Sequence, residues 1–307
     1  MNIRFNLKQF REKYGTHDLC LDSLKELRYP SETICPKCKE PSAFYRVSNR
    51  SAYACKLCGW HVYPLAGTIF EKTSTPLDLW FYAMFLMIHT RSGTSAKQLE
   101  RMLGVTYKTA WRIFKQIRML MAQLDTTMLE GIVEVDETFI GGKGKNRMSQ
   151  WHGNEKPKEV VMGMIKRNEK EKGGDKAYIK HIPNTGKWTL LKQVKDHVDT
   201  TARIITDENP GYIQLKYHNY LHDFVKHKET FVIGDIYTQN VEAFWSILKR
   251  GVYGVYRKVS KKYLQAYIDE YAWRYNHRKQ SGKMFELLLQ QVLEVKVLKA
   301  SQLSSAT

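Results

Sequence analysis

The sequence lacks any hydrophobic run long enough to span a membrane, and it shows no internal repeat or long low-complexity stretch. Its longest apolar run covers residues 77–88, is interrupted by Asp78, and falls short of the ~20 apolar residues that a membrane helix needs. The N-terminal residues are amphipathic and charged, without the apolar core of a secretion signal. We therefore expect a soluble, cytoplasmic protein with no membrane partner.

Acidic residues are scarce in relation to basic ones: the chain has 31 Asp and Glu against 49 Lys and Arg, a formal net charge of +18. Such a surplus creates a positive field that attracts polyanions, nucleic acid first and an anionic membrane surface second. A basic protein with a merely solvated surface is the plain alternative. The length of 307 residues predicts two or three domains and allows a full catalytic core.

Cysteine is also sparse, but four of the five cysteines form two close pairs. The pairs are two C-x2-C motifs separated by 16 residues, Cys35 with Cys38 and Cys55 with Cys58. In a reducing compartment this spacing indicates a zinc ribbon, because Zn²⁺ takes four thiolates in a tetrahedron. Residues 43–47 and 51–54 alternate like a hairpin, and Gly59 allows a tight turn. We predict one structural Zn²⁺ and a buried, apolar role for Cys20; redox chemistry is the minor alternative.

Residues 95–112 have the rhythm of a helix-turn-helix. Six apolar positions would face inward on its two helices: Ala96, Leu99, Leu103, Ala110, Ile113 and Phe114. Gly104 makes the turn, and Thr106 caps the second helix. Four side chains would face outward near the start of that helix, where such helices contact bases and phosphates: Tyr107, Lys108, Thr109 and Arg112. An ordinary helical hairpin has a similar pattern, so the DNA-binding interpretation also draws on the net charge and the ribbon.

The following part of the chain, to about residue 280, predicts a mixed α/β domain. Strands are expected at 131–136, 160–165, 177–182 and 202–206, with helices at 189–197 and from near Asn240. Asp136 lies in the first strand, Asp207 at the end of the fourth, and Glu242 near a helix start, 35 positions after Asp207. Carboxylates from separate elements can hold two Mg²⁺ about 4 Å apart for phosphoryl transfer on DNA.

Each of these carboxylates has a rival. Glu137 and Glu208 adjoin the two aspartates, but strand alternation is expected to point them to the opposite face. Asn240 competes with Glu242, and because the two lie about 200° apart on a helix, only one can enter a given site. Glu242 is preferred, since Lys249 on the same flank could hold a phosphate, and Asn240 would then be an N-cap. The buried stripe of this helix is predicted as Val241, Phe244, Trp245 and Leu248.

The motifs around these residues resemble those of the ISXO-like insertion-sequence transposases, a group of the DDE superfamily. The first is VDETFIGGK at residues 135–143, the second is Asp207-Glu208 followed by Tyr212, and the third is NVEAFWSILKRG at residues 240–251. Residues 267–271 and 274–278 resemble the closing helix of that family. The N-terminal ribbon is similar to the one that precedes its catalytic domain, so the resemblance covers nearly the whole chain up to about residue 280.

This resemblance implies a ribonuclease H-like catalytic domain, an α/β fold with a mixed sheet flanked by helices, behind a zinc ribbon and a helix-turn-helix. It implies cleavage at the ends of a mobile element and transfer of 3′-hydroxyls into target double-stranded DNA. Two Mg²⁺, or Mn²⁺ in their place, would bind Asp136, Asp207 and a third residue. The family has Glu or Asn there, followed by Lys, so Glu242, Asn240 and Lys249 are all candidates. It also implies at least a dimer on DNA and a bacterial-type protein associated with the nucleoid.

We predict four segments: a zinc ribbon at 1–66, a helix-turn-helix domain at 67–125, the transposase domain at 126–280, and a C-terminal helix and tail at 281–307. Beyond the helix-turn-helix, DNA contacts are predicted at Lys143, Lys145 and Arg250. A solvated loop is an equally good interpretation of the first two. Two other functions stay open, a transposase-derived DNA-binding regulator that no longer cuts and a metal-dependent nuclease without strand joining.

The ribbon predicts close to one zinc per chain. Because four thiolates hold the ion, the folded protein should release about one equivalent of zinc when its thiols are modified. Elemental analysis of the purified protein measures the ratio. A folded protein with no zinc and four freely reactive thiols would contradict the ribbon.

Overall fold

The computed structural model describes residues 5–122, 127–141, 158–168, 170–171, 173–225 and 235–294. It divides the chain into two compact units, Met1–Leu120 with Gln280–Thr307, and Met121–Lys279. The predicted DNA contacts Lys143 and Lys145, and the tail beyond residue 294, lie outside the described residues. Within the described part of the chain, no helix is long and apolar enough to cross a bilayer.

The first unit is built on helices. They are α1 (Leu7–Tyr14), α2 (His17–Arg28), α3 (Leu77–His89), α4 (Ala96–Leu103), α5 (Tyr107–Leu120) and, from far along the chain, α9 (Met284–Glu294). Helix α3 begins directly after Pro76 and buries most of its residues. An aromatic core joins this helix to α1 and α9: the ring of Phe285 lies 4.9 Å from that of Tyr14 and 5.9 Å from that of Phe81.

The cysteine-containing segment forms a small antiparallel sheet. Its strands β1 (Phe44–Arg46), β2 (Tyr53–Cys55) and β3 (His61–Val62) are paired in that order. The predicted hairpin is confirmed, since Tyr45 pairs with Ala54. The third strand has only two residues, too few for an alternating pattern to show.

The predicted two-helix motif consists of α4 and α5. All six positions expected to face inward are buried. Gly104 ends α4 with a φ of +64°, a left-handed conformation that favours glycine. Thr106 caps α5 as predicted, accepting a hydrogen bond from the Thr109 N–H at 3.4 Å.

The second unit contains a five-stranded sheet. Its strands are β4 (Ile132–Ile140), β5 (Glu159–Arg167), β6 (Gly174–Ile182), β7 (Arg203–Thr206) and β8 (Leu221–Phe224), in the order β6-β5-β4-β7-β8. The first three are antiparallel, whereas β7 runs parallel to β4 and to β8. The four predicted strands are therefore present. Strand β8 was not predicted, because the sequence LHDF offers no apolar alternation and none of its residues is buried.

Helices cover both faces of this sheet. Helix α6 (Lys187–His197) packs on one face against Met162 and Met164 of β5. Helices α7 (Gln239–Arg250) and α8 (Lys261–Asn276) pack on the other, against Val161 and Ile165. The side chains of β5 thus alternate between two separate hydrophobic cores, and the result is a mixed sheet flanked by helices.

Candidate functional site

Three carboxylates converge where β4 runs past the end of β7. Asp136, Glu137 and Asp207 each place a carboxylate oxygen within 4.8 Å of the other two. Strand β7 ends at Thr206, and the last pair in its register with β4 joins Glu134 to Ile205. Asp136 lies two residues further along β4, past the last residue that pairs with β7. Asp207 directly follows Thr206, the last residue of β7. The cluster lies at the carboxyl end of β7 and midway along β4, and the carboxyl ends of parallel strands are where open α/β sheets bind ligands.

Asp136 lies on the sheet face covered by α7. The indole N–H of Trp245 donates a hydrogen bond to its Oδ2 at 2.8 Å. The pKa of Asp136 is raised to about 6, mainly by burial. The hydrogen bond from Trp245 lowers this pKa, whereas the negative charges of Asp207 and Glu242 raise it. The indole can approach because Gly163 pairs with Asp136 across the sheet, and a Cβ at Gly163 would stand only 2.7 Å from the Trp245 ring.

Glu137 points to the opposite face, as strand alternation requires, yet it belongs to the cluster. A carboxylate oxygen of Glu137 lies within 4.8 Å of oxygens of both Asp136 and Asp207, so alternation does not separate the two neighbouring acids here. The Tyr212 hydroxyl donates to one Glu137 oxygen, and the Asn209 amide lies 3.4 Å from the other. Burial raises the pKa of Glu137 to about 7, and the charges of Asp207 and Asp136 add to the shift.

The cluster has the chemistry of a site for a divalent cation. Burial and mutual repulsion raise the pKa values of Asp136 and Glu137, and a bound cation would remove this electrostatic cost. Carboxylate oxygens are also the ligands that hard cations prefer. The backbone N–H of Asn209 donates to Asp207 Oδ1 at 3.0 Å, which fixes the orientation of that carboxylate at the strand end.

A buried ion pair attaches the start of α7 to the strand that carries Asp136. Glu134 is fully buried, and Arg167 of β5 donates to its Oε1 at 2.6 Å. The same carboxylate accepts the backbone N–H groups of Asn240 at 2.8 Å and Val241 at 3.2 Å. Arg167 also donates to the Asp235 carbonyl at 2.6 Å. Glu134 thus serves as an N-terminal cap for α7 from another element, where a negative charge complements the helix dipole.

Asn240 is held by this pair. Its side-chain amide donates to Glu134 Oε1 at 2.7 Å, so it points at the buried carboxylate. The predicted N-cap role is wrong, because Thr238 occupies the N-cap position and α7 begins at Gln239. The helix starts earlier than the sequence suggested. Glu134 satisfies the N–H groups of Asn240 and Val241, which the side chain of the N-cap Thr238 leaves without a capping hydrogen bond.

Glu242 and Lys249 lie on α7 outside the buried stripe. The stripe is confirmed: Val241, Phe244, Trp245 and Leu248 are all buried. Glu242 is exposed and accepts a hydrogen bond from Thr238 Oγ1 at 2.9 Å. It is not one of the three acids that lie within 4.8 Å of one another, but its charge reaches Asp136 and raises the pKa there. Lys249 is half-buried, and Arg250 is exposed at the end of the helix.

The four paired cysteines form a second candidate metal site. The Sγ atoms of Cys35 and Cys58 lie 3.7 Å apart and those of Cys38 and Cys55 lie 3.9 Å apart. A disulfide would need about 2 Å. With Zn–S bonds of 2.3 Å, the sulfur atoms of a tetrahedral site are separated by about 3.8 Å, so the thiols fit zinc. The Ser42 hydroxyl lies 3.2 Å from Cys55 Sγ and lowers the pKa of Cys55 to about 6, which favours the thiolate that binds metal.

The two cysteine knuckles have the same backbone geometry. Cys35 O accepts the N–H of Lys39 at 3.0 Å, and Cys55 O accepts the N–H of Gly59 at 2.9 Å. The residue that donates the N–H has a left-handed backbone conformation in both knuckles, with φ of +63° at Lys39 and +69° at Gly59. The glycine expected after the second pair is therefore matched by a strained lysine after the first.

The predicted DNA contacts of α5 lie at its first turns. Tyr107, Lys108 and Arg112 are exposed and Thr109 is half-buried. Arg112 is partly engaged within the protein, since it donates to Thr75 Oγ1 at 3.3 Å. Lys108 therefore offers the more accessible cation of the two.

Comparison with known proteins gives three matches. Residues 128–276 match a family described as an ISXO2-like transposase domain, and residues 15–61 match a transposase zinc-ribbon domain. The chain is also similar to an uncharacterized protein in transposable element ISH50 of Halobacterium salinarum. The two are 26% identical over 279 residues, which are 85% of the present chain and 91% of the relative.

The buried pair predicts an unusually large loss of stability in one variant. Glu134→Ala would leave the Arg167 charge buried without its partner and expose N–H groups at the start of α7. We expect the free energy of unfolding to fall by about 3–5 kcal/mol, measured by chemical denaturation. The control is Glu171→Gln, which breaks an exposed pair with Lys279 and should cost less than about 1 kcal/mol. Equal losses in the two variants would contradict a structural role for Glu134.

Proposed function

Because the chain belongs to the ISXO2-like insertion-sequence transposases and carries their zinc ribbon, we propose that it cuts DNA at the ends of its element and joins them to target DNA. The reaction is a metal-dependent phosphoryl transfer. The observation that carries this proposal is the convergence of Asp136, Glu137 and Asp207 beside the carboxyl end of β7.

We assign the catalytic metal ligands to Asp136, Asp207 and Glu242, and the ions to Mg²⁺. Asn240 is the weaker candidate, because its amide is engaged with the buried Glu134. Glu242 has the right sign of charge and is close enough to influence Asp136. Glu137 adds a fourth carboxylate that the sequence pattern alone did not select.

The role of the protein in this reaction is to hold and orient the metal ions and the bound DNA strand. When bound, the metal ions would activate a water or 3′-hydroxyl and stabilise the charge on the leaving oxygen. Trp245 and Gly163 fix the position of Asp136, and the Asn209 N–H fixes that of Asp207. Lys249 offers an ammonium group for a phosphate of the bound strand.

The rest of the chain would deliver DNA to this site. The mixed sheet with helices on both faces supports a ribonuclease H-like fold for the catalytic domain. The capped α4–α5 pair supports a helix-turn-helix, with α5 as the helix that enters the major groove. We retain the predicted segments 1–66, 67–125, 126–280 and 281–307, a structural Zn²⁺ in the first, and assembly of at least a dimer on the two element ends.

Two other functions differ from this one in a measurable way. A transposase-derived regulator would bind element ends and not cut them in any divalent metal. A nuclease would cut without joining the new 3′-hydroxyl to a second DNA. A strand-transfer assay on the DNA that flanks the gene separates all three.

Asp136→Ala should abolish Mg²⁺-dependent cleavage of element ends and leave DNA binding unchanged, because the site loses a ligand and the front end is untouched. Cleavage is followed on labelled duplexes and binding by gel shift. Asp196→Ala, which removes an exposed carboxylate of α6, is the matched control and should cut normally. If Asp136→Ala cuts as well as the parent, the assignment of the site is wrong.

Lys108→Ala combined with Arg112→Ala should weaken binding to element ends and reduce the dependence of log Kd on log salt. Each lost phosphate contact lowers that slope by about one. Lys192→Ala with Lys195→Ala, two exposed lysines of α6, removes the same charge elsewhere and serves as the control. An equal loss of affinity in both double variants would indicate a general charge effect and count against α5 as the DNA-reading helix.

A further inference from the structure

A cavity of about 560 Å³ opens beside the acidic cluster. It shares Glu137 and Asp207 with the cluster, and Phe139, Glu208 and Pro210 complete much of its wall. The volume is within the range of small-molecule and cofactor sites. Metal binding by the carboxylates makes no use of the aromatic and outer parts of this wall, which therefore need a separate explanation.

Phe139 is the unusual member of the wall. Its side chain is 49% exposed, whereas Val133 and Val135, on the same face of β4, are fully buried. Its backbone is fixed, because Phe139 is paired with Val160 of β5. An exposed ring on a rigid strand is an apolar platform, and a flat ligand laid on it would recover the hydrophobic free energy of the exposed face.

The charge of the cavity restricts what the ligand can be. Glu137, Asp207 and Glu208 are acidic, and the described residues that line the cavity include no Lys, Arg or His. A phosphodiester would be repelled here unless a cation lay between. A neutral planar group with N–H donors at its edge fits better, with its face on Phe139 and its donors toward the carboxylate of Glu208. A nucleobase with an exocyclic amino group has this chemistry.

We propose that this cavity binds the nucleobase next to the scissile phosphate, unstacked from the duplex and laid on Phe139. The proposal rests on the function proposed above, because a phosphate held at Asp136 and Asp207 places a flanking nucleotide beside a wall that shares Asp207. Adenine, cytosine and guanine can donate an exocyclic amino hydrogen to the acidic rim, whereas an unpaired thymine has only its ring N3–H to donate.

The free energies of stacking and of base-pair separation determine which base can enter the cavity. Stacking on one aromatic side chain gains about as much as unstacking a base costs. This gain in stacking free energy does not also compensate for separating an internal base pair. The occupant is therefore the terminal nucleotide of the cut strand, whose pairing is the weakest in the duplex. The cavity accordingly holds the cleaved end in place between cutting and joining.

The test is a cycle between protein and DNA. The full-length protein and Phe139→Ala are each bound, in Mg²⁺ and without target DNA, to a pre-cut end duplex taken from the DNA flanking the gene. A second duplex lacks only the terminal base. On the first duplex, Phe139→Ala should raise Kd about 10-fold, equivalent to about 1.4 kcal/mol. On the abasic duplex it should cause no further loss, since the ring has no base to contact.

Two protein controls complete the cycle. Phe139→Trp should keep the affinity, because an indole also stacks. Tyr217→Ala removes a 74% exposed aromatic ring that does not line the cavity, and should change nothing. Equal weakening of both duplexes by Phe139→Ala, or no weakening of either, overturns the proposal.

Cleavage by the wild-type protein, measured in parallel, separates this proposal from the proposed function. A protein that cuts ends but shows no coupling between Phe139 and the terminal base refutes the base site alone. A protein that shows the coupling but cuts no DNA in Mg²⁺ or Mn²⁺ refutes the proposed reaction and leaves the base site standing.

Discussion

The ion pair between Glu134 and Arg167 sets the geometry of the acidic site. Two buried charges are expensive to desolvate, and the pair is tolerated because both partners are also hydrogen-bonded to backbone: Glu134 to the first turn of α7 and Arg167 to the segment that leads into it. The same contacts join β4, β5 and the helix that carries Glu242 and Trp245. Since Trp245 in turn binds Asp136, the position of one catalytic candidate depends on a carboxylate two residues away on the same strand face.

A difference in strand length then creates the site. Strand β4 has nine residues and its parallel neighbour β7 has four, so among the described residues no strand pairs with the last part of β4 on that side. Consecutive acids that would face opposite layers inside a sheet can meet at such an edge. The crowding that results raises the pKa values of Asp136 and Glu137, and a divalent cation is the natural means of relieving it. Gly163 contributes from the other neighbour by leaving room for an indole above Asp136.

Periodicity predicted the elements well where burial is one-sided or complete. The stripe of α7, the inner faces of α4 and α5, and strands β4 to β7 all follow from the spacing of apolar residues. Prediction from periodicity failed where tertiary contacts determine the position or the role of a residue. Alternation argues against Glu137, and only the end of β7 brings this acid into the cluster. Glu134 reads as one more acid in an apolar strand, and its partner Arg167 is 33 positions away, so no local pattern reveals that it caps α7. Strand β8 was missed because it is short, polar and exposed.

The return of α9 to the first unit makes that unit discontinuous in sequence. Phe285 is almost fully buried among rings from the beginning of the chain, and Glu286 forms an ion pair with Lys13 at 3.0 Å. During synthesis the N-terminal helices therefore leave the ribosome without the side chains that close their core, and they wait for the whole second unit to be translated. A nascent chain that lacks α9 would expose an incomplete aromatic core, so a helix made after the second unit completes a core whose other rings were made before it.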